Sequence, residues 1–182
     1  MYALPTDDGA SGDHALWISP EIEYTAKAPR TTDAGAIDQG PEMTGETADR
    51  LMRKMKGLPV FKSVASDKTP FDWLLSPEKS EARIYVSADG KSIVAANAMV
   101  YRTFRIFPNL ATTDYVNRMT GESMLRAVSG EGTVCIDGQE YAIGGLNGQP
   151  ERGYIKDEWL DGLTTVPESF MVEDFEVVPI QE

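Results

Sequence analysis

The chain has 182 residues, 41% hydrophobic and 25% charged, which suits one globular unit with an irregular leader and argues against wholesale disorder. Its 29 acidic against 17 basic residues give a formal net charge of -12, a surface that repels phosphate backbones and anionic lipid, so neither nucleic acid nor a membrane is an expected partner. Cys135 is the only cysteine and His14 the only histidine, which excludes an intrachain disulfide and a cysteine-built zinc cluster, and no metal or cofactor is implied.

Residues 1–43 form the expected leader. Proline is frequent there and periodicity weak, apart from the run "LWISPEIEY". The opening "MYALPTDDGASGDHALW" has neither a basic n-region nor an apolar h-region, so no secretory signal is expected. No stretch of the chain approaches the ~20 apolar residues of a membrane span.

Residues 44–81 hold a helix and a connector. In "TGETADRLMRKMKGLP", Ala48, Leu51, Met52 and Met55 fall on one helical face, with Thr44 and Thr47 as the start and Gly57 with Pro59 as the stop. The methionine-bearing stripe is expected to pack a core. Arg50, Arg53, Lys54 and Lys56 are the basic residues that belong near a helix C-terminus.

From residue 82 to 182 the period changes from 3.6 to 2, and the expected fold is mainly β, an antiparallel β-sandwich with one or two short helices. "ARIYVS" and "SIVAANA" flank Asp89-Gly90, while "TVCI" and "QEYAI" flank Asp137-Gly138; both pairs predict hairpins closed by type I′ turns. "VYRTFRIF" alternates between them and ends at Pro108-Asn109, and "ATTDYV" and "SMLRAV" are two further expected strands around "NRMTGE". Cys135, inside "TVCI", reads as a small core residue. Later, "IKDEWLDGL" predicts a short helix with Trp159, Leu160 and Leu163 on one side, and "FMVEDFEVVP" a closing strand.

One stretch stands apart, "YAIGGLNGQPERGY" at 141–154, with four glycines. It lacks the GK[ST] of a phosphate loop, and Gly144 next to Gly145 breaks the dinucleotide pattern, so a phosphate role is excluded. Two alternatives remain. It is a connector packed by its own aromatics, or a contact loop in which Asn147, Gln149 and Arg152 donate hydrogen bonds while Tyr154 and Trp159 offer flat apolar faces, the mixture that suits sugars. The acids Asp157, Glu158, Asp161, Glu173, Asp174 and Glu176 read as solvated faces; the other possibility, a glycosidase pair, needs two carboxyls roughly 5 to 9 Å apart.

The order of short phrases over about 84–172 also carries a resemblance. An Arg-Thr-Phe strand pair, a Met-Thr-Gly turn leading to Leu-Arg, and a hairpin ending in Gly-Gly-Leu-x-Gly-Gln-Pro resemble the N-terminal non-catalytic β-sandwich region of large multidomain glycoside hydrolases of the alpha-galactosidase type. In such enzymes the catalytic carboxylates lie in a downstream (β/α) barrel, so no catalytic residue carries over to this chain. The resemblance implies an accessory domain that docks on a catalytic barrel absent from this chain and shapes one rim of its sugar site. The alternative is a stand-alone carbohydrate-binding or adhesion module, whose partner is an oligosaccharide. A third possibility is a small hydrolase using the acids of this chain.

Overall fold

A computed structural model describes residues 40–62 and 81–179. The expected leader and most of the connector lie outside the described residues. What is described is mainly β, with antiparallel sheets and two short helices.

Helix α1, Gly45–Lys56, forms as its sequence predicts. The Thr44 hydroxyl accepts the Thr47 amide at 3.3 Å, one of the donors a helix start leaves without a partner, and Gly57 caps the other end. Leu51 and Met55 are buried, whereas Met52 is 39% exposed and sits at the edge of the stripe. The buried pair packs with Val86, Ile93 and Ile106 in the first core cluster.

That cluster covers part of a five-stranded antiparallel sheet whose spatial order follows the chain: β1 Arg83–Val86, β2 Ser92–Ala96, β3 Val100–Arg105, β4 Ala111–Asn117 and β5 Glu122–Ser123. β2 is buried along its whole length, as a continuous apolar run in mid-sheet should be. A three-stranded sheet follows, of β6 Gly132–Ile136, β7 Gln139–Ile143 and β10 Ser169–Phe170. β10 joins β7 in parallel. Between them in sequence, β8 Leu146–Asn147 pairs with β9 Thr164–Thr165, and α2 is the single turn Asp157–Leu160. Leu160 and Leu163 pack with Ala111, Val128 and Leu146 in a second core cluster.

Four local expectations are corrected. The Asp137-Gly138 turn has the two positive φ values of type I′, 52° and 82°, but in the first hairpin only Gly90 is positive. There a longer loop closes between Ser87 and Ser92, with Ser87 Oγ and Asp89 Oδ1 accepting the amides of Ser92 and Lys91; the local side-chain acceptors replace the tight turn. "SMLRAV" contributes only Ser123 to a strand, because Met124 makes one last ladder bond to Tyr115 and the chain then leaves the sheet edge. Of "FMVEDFEVVP" only Phe170 keeps strand pairing, as the end of β10, after which backbone carbonyls at Glu173 and Phe175 are taken by Arg50 and Lys54 of α1 instead of a neighbouring strand. Cys135 is exposed, since both faces of the β6–β7 hairpin are largely open.

Candidate functional site

The adjacent glycines of the 144–154 loop sit where backbones cross. The amide of Gly144 donates to the Phe170 carbonyl at 3.0 Å, that of Gly145 donates to Leu110 at 2.7 Å, and the Gly145 carbonyl accepts from Val166 at 3.4 Å. Both residues have positive φ, 61° and 98°. A Cβ on Gly144 would overlap the Leu110 carbonyl, and one on Gly145 would lie 2.9 Å from the Gly130 backbone. The Gly-Gly pair therefore lets β3–β4, the 128–131 segment and the 166–170 segment meet at one point.

Gln149 extends that junction. Its Oε1 accepts the Val128 amide at 2.8 Å, and its Nε2 donates to the carbonyls of Arg126, Glu151 and Tyr154 at 3.2, 2.5 and 2.8 Å. The whole amide is spent inside the protein, so Gln149 braces the loop and fastens it to residues 126–128. This differs from its expected place among the outward donors.

The other four residues face outward to different degrees. Asn147 is exposed, with its Oδ1 accepting the Gly148 amide at 2.9 Å. Arg152 is exposed and has no hydrogen-bond or ion-pair partner among the described residues. Tyr154 is 47% exposed and lies beside half-buried Trp159, ring centroids 5.2 Å apart at 36°. The Lys156 ammonium sits 5.3 Å from the Trp159 centroid and 5.8 Å from that of Tyr154.

A second concave feature escaped pattern reading. Between Thr103 and Phe104 of β3 the pairing with β4 shifts: Thr103 faces Asp114 while Phe104 faces Thr112, leaving Thr113 as the extra residue of a bulge. Strict alternation would send Thr112 and Tyr115 to opposite faces. The bulge restores both to the face of Arg102 and Phe104. There Arg102 donates to the Thr112 hydroxyl from Nε at 2.9 Å and to Glu131 from Nη2 at 2.6 Å, with its guanidinium 4.6 Å from the Phe104 centroid. Glu131 also accepts the Thr112 amide. Arg102, Thr112 and Glu131, with Tyr115, Leu125 and Ser129, line a cavity of about 190 Å³. The only sequence signal for it was the Arg-Thr-Phe phrase, which carries no register.

A wider groove of about 500 Å³ lies at the end of β1 and β2, where Phe61 packs between Tyr85 and Tyr101 and the rim carries Lys62, Arg118 and an Arg83–Glu81 ion pair at 3.2 Å. Burial, followed by the nearby Asp114 carboxylate, pushes the Tyr101 phenol up to about 12.

The six acids near the C-terminal end are all exposed. Asp161 accepts from Lys91 at 2.7 Å and from Arg105, and these bonds hold its carboxyl below the usual range. Asp174 is lowered likewise, first by Lys54 at 2.5 Å. Among the described residues no group of three metal-ligating side chains converges, and no helix is long and apolar enough to cross a membrane.

No protein-family description, no curated protein and no solved structure matches the chain.

Proposed function

We propose that the protein is a non-catalytic accessory domain of a carbohydrate-active enzyme of the alpha-galactosidase type, docking on a catalytic barrel and contributing to the rim of its sugar site. One observation carries this reading: a loop anchored by Gly144, Gly145 and Gln149 presents an outward Tyr154–Trp159 pair beside an unpartnered Arg152. Aromatic faces take the CH patches of a pyranose and guanidinium takes its hydroxyls. Because the anchoring is internal, the outward groups are held at low entropic cost. The exposed acids have the dispersed, solvated character of a surface, unlike a pair of carboxyls whose environments drive their pKa values apart.

Direct binding of an oligosaccharide without any barrel is the second reading, favoured by the exposed Tyr154 ring beside half-buried Trp159. Calorimetric titration with galactose-terminated oligosaccharides and, separately, with an alpha-galactosidase-type barrel tests both. The double variant Arg152→Ala, Tyr154→Ala should weaken whichever association occurs about tenfold or more while leaving the unfolding midpoint nearly unchanged. No association with either probe, together with a large loss of folding stability in the variant, would make the loop a structural connector. The reading also expects no turnover of aryl glycosides by the purified chain.

A further inference from the structure

The cavity beside the β3–β4 bulge has the make-up of a binding subsite distinct from the outward face of the 144–154 loop. Its charges are already balanced, because Arg102 and Glu131 are paired at 2.6 Å and the Glu131 side chain is only 15% exposed. An anion would have to compete with Glu131 for the guanidinium and approach a chain of net charge -12. The site therefore does not suit a phosphate or a carboxylate. What it leaves open is neutral hydrogen bonding: Arg102 Nη1, the Ser129 hydroxyl and the Tyr115 hydroxyl have no partner among the described residues. Next to these donors stand apolar surfaces, the 39% exposed ring of Tyr115 and the half-buried Leu125. At about 190 Å³ the cavity is smaller than the roughly 300 Å³ and upward of ordinary small-molecule sites, so it has room for one small ring.

We propose that this cavity binds a single uncharged, polyhydroxylated ring, the chemical class of a neutral monosaccharide unit, with Tyr115 and Leu125 against its CH face and Arg102 and Ser129 donating to its hydroxyls. The proposal stands on the cavity's own residues and does not require the outward loop to bind sugar. The two places are nevertheless joined mechanically. Gln149 holds the Arg126 carbonyl and the Val128 amide, so the glycine-rich loop fixes the segment that supplies Leu125 and Ser129. Gly145 also runs close to Gly130, where a Cβ would lie 2.9 Å from its backbone.

The test is an amide-resolved NMR titration of the full chain with methyl α-galactopyranoside, and with acetate as the anionic probe. Saturable shifts at 125–131 and Tyr115 with the glycoside, surviving Arg152→Ala with Tyr154→Ala, are the expected result. Tyr115→Ala should weaken that binding about fivefold, and Ser129→Ala, a change at an exposed residue outside both core clusters, about threefold. Glycoside shifts confined to 147–159 would overturn the cavity site while leaving the proposed function standing. Acetate binding at 125–131 in place of the glycoside would overturn it in favour of an anion site. Absence of any saturable shift would overturn it together with direct sugar binding by the loop, leaving only barrel docking.

Discussion

In the five-stranded sheet each strand pairs with the next stretch of chain, β1 to β5 in order, and α1 seals one side with Leu51 and Met55. Beyond residue 124 only the β6–β7 hairpin keeps a long ladder; β8–β9 and β10–β7 pair over two residues, and order there depends on single residues that reach across to the first region. Asn109 holds Phe170 and Val172, Arg105 and Lys91 hold Asp161, and Leu110 receives Gly145. A ladder spreads its stability over many similar bonds; a set of point braces concentrates it. The same substitution should therefore cost far more at a brace than in a ladder.

Two glycines, one in the turn of a ladder and one at a brace, give the sharpest way to break that comparison. Gly138 lies in an open turn with nothing within 4 Å of a Cβ, whereas a Cβ on Gly144 would meet the Leu110 carbonyl. Both have positive φ. Gly138→Ala should cost about 1 to 2 kcal/mol from backbone conformation alone, and Gly144→Ala about 3 kcal/mol or more once the overlap is added. Chemical denaturation of the two variants decides this; equal costs would mean that the crossing of backbones yields without strain.

Next in size is Asn109→Ala. The side chain is fully buried, accepts the amides of Leu110 at 2.8 Å and Val172 at 3.0 Å, and donates to the Phe170 carbonyl at 3.1 Å. Its loss leaves the half-buried amides of Leu110 and Val172 without their acceptor, while the Phe170 carbonyl keeps the Gly144 amide, and should cost about 3 kcal/mol. Amide exchange should accelerate first at Val172 and at Gly144, which pairs with Phe170. Uniform acceleration over β1 to β4 instead would place Asn109 in the common core and erase the distinction between the regions.

The two regions were also unequally legible. Apolar runs flanking Asp-Gly pairs named β1, β2 and the β6–β7 hairpin, and the alternation of "VYRTFRIF" named β3, because turns and ladders leave local traces in sequence. Thr44, Gly57 and the 48–55 stripe marked α1 for similar reasons, since caps and helical faces leave local traces. The bulge at Thr113 left none, and it decides which side chains line the cavity. Polar side chains that brace at long range are invisible in the same way: Gln149 looks like any loop glutamine until Val128 and Arg126 are beside it. Cys135 fell to the opposite error, an apolar run whose hairpin has no covering layer.

Gln149→Ala tests that point. Four hydrogen bonds go, but the loop is partly exposed and water can replace some of them, so the expected cost is about 1 to 2 kcal/mol. The change should be local, with faster exchange at the Val128 amide and an unaltered α1. A variant as stable as the wild type would return Gln149 to the outward-facing donors.

The smallest effect is expected at Asp161, which touches both regions through Lys91 and Arg105 but is exposed to solvent. Its carboxyl is held below the usual range by those two bonds, so its folded pKa lies under the unfolded value of about 3.9. The unfolded chain then binds a proton more readily than the folded one, and the associated stability is present above about pH 4 and lost as pH falls through the folded value. Salt should shrink it, as for any exposed ion pair. Asp161→Asn keeps one acceptor oxygen for Arg105, whose guanidinium also donates to the Phe107 carbonyl at 2.9 Å, so the buried arginine is not stranded. Denaturation midpoints of wild type and Asp161→Asn should differ slightly at neutral pH in low salt and converge as pH falls through the lowered folded pKa of Asp161. A gap that persists in acid, or that is indifferent to salt, would mean that Asp161 works by hydrogen-bond geometry and not by charge, and that the contact between the regions is a packed brace like Asn109.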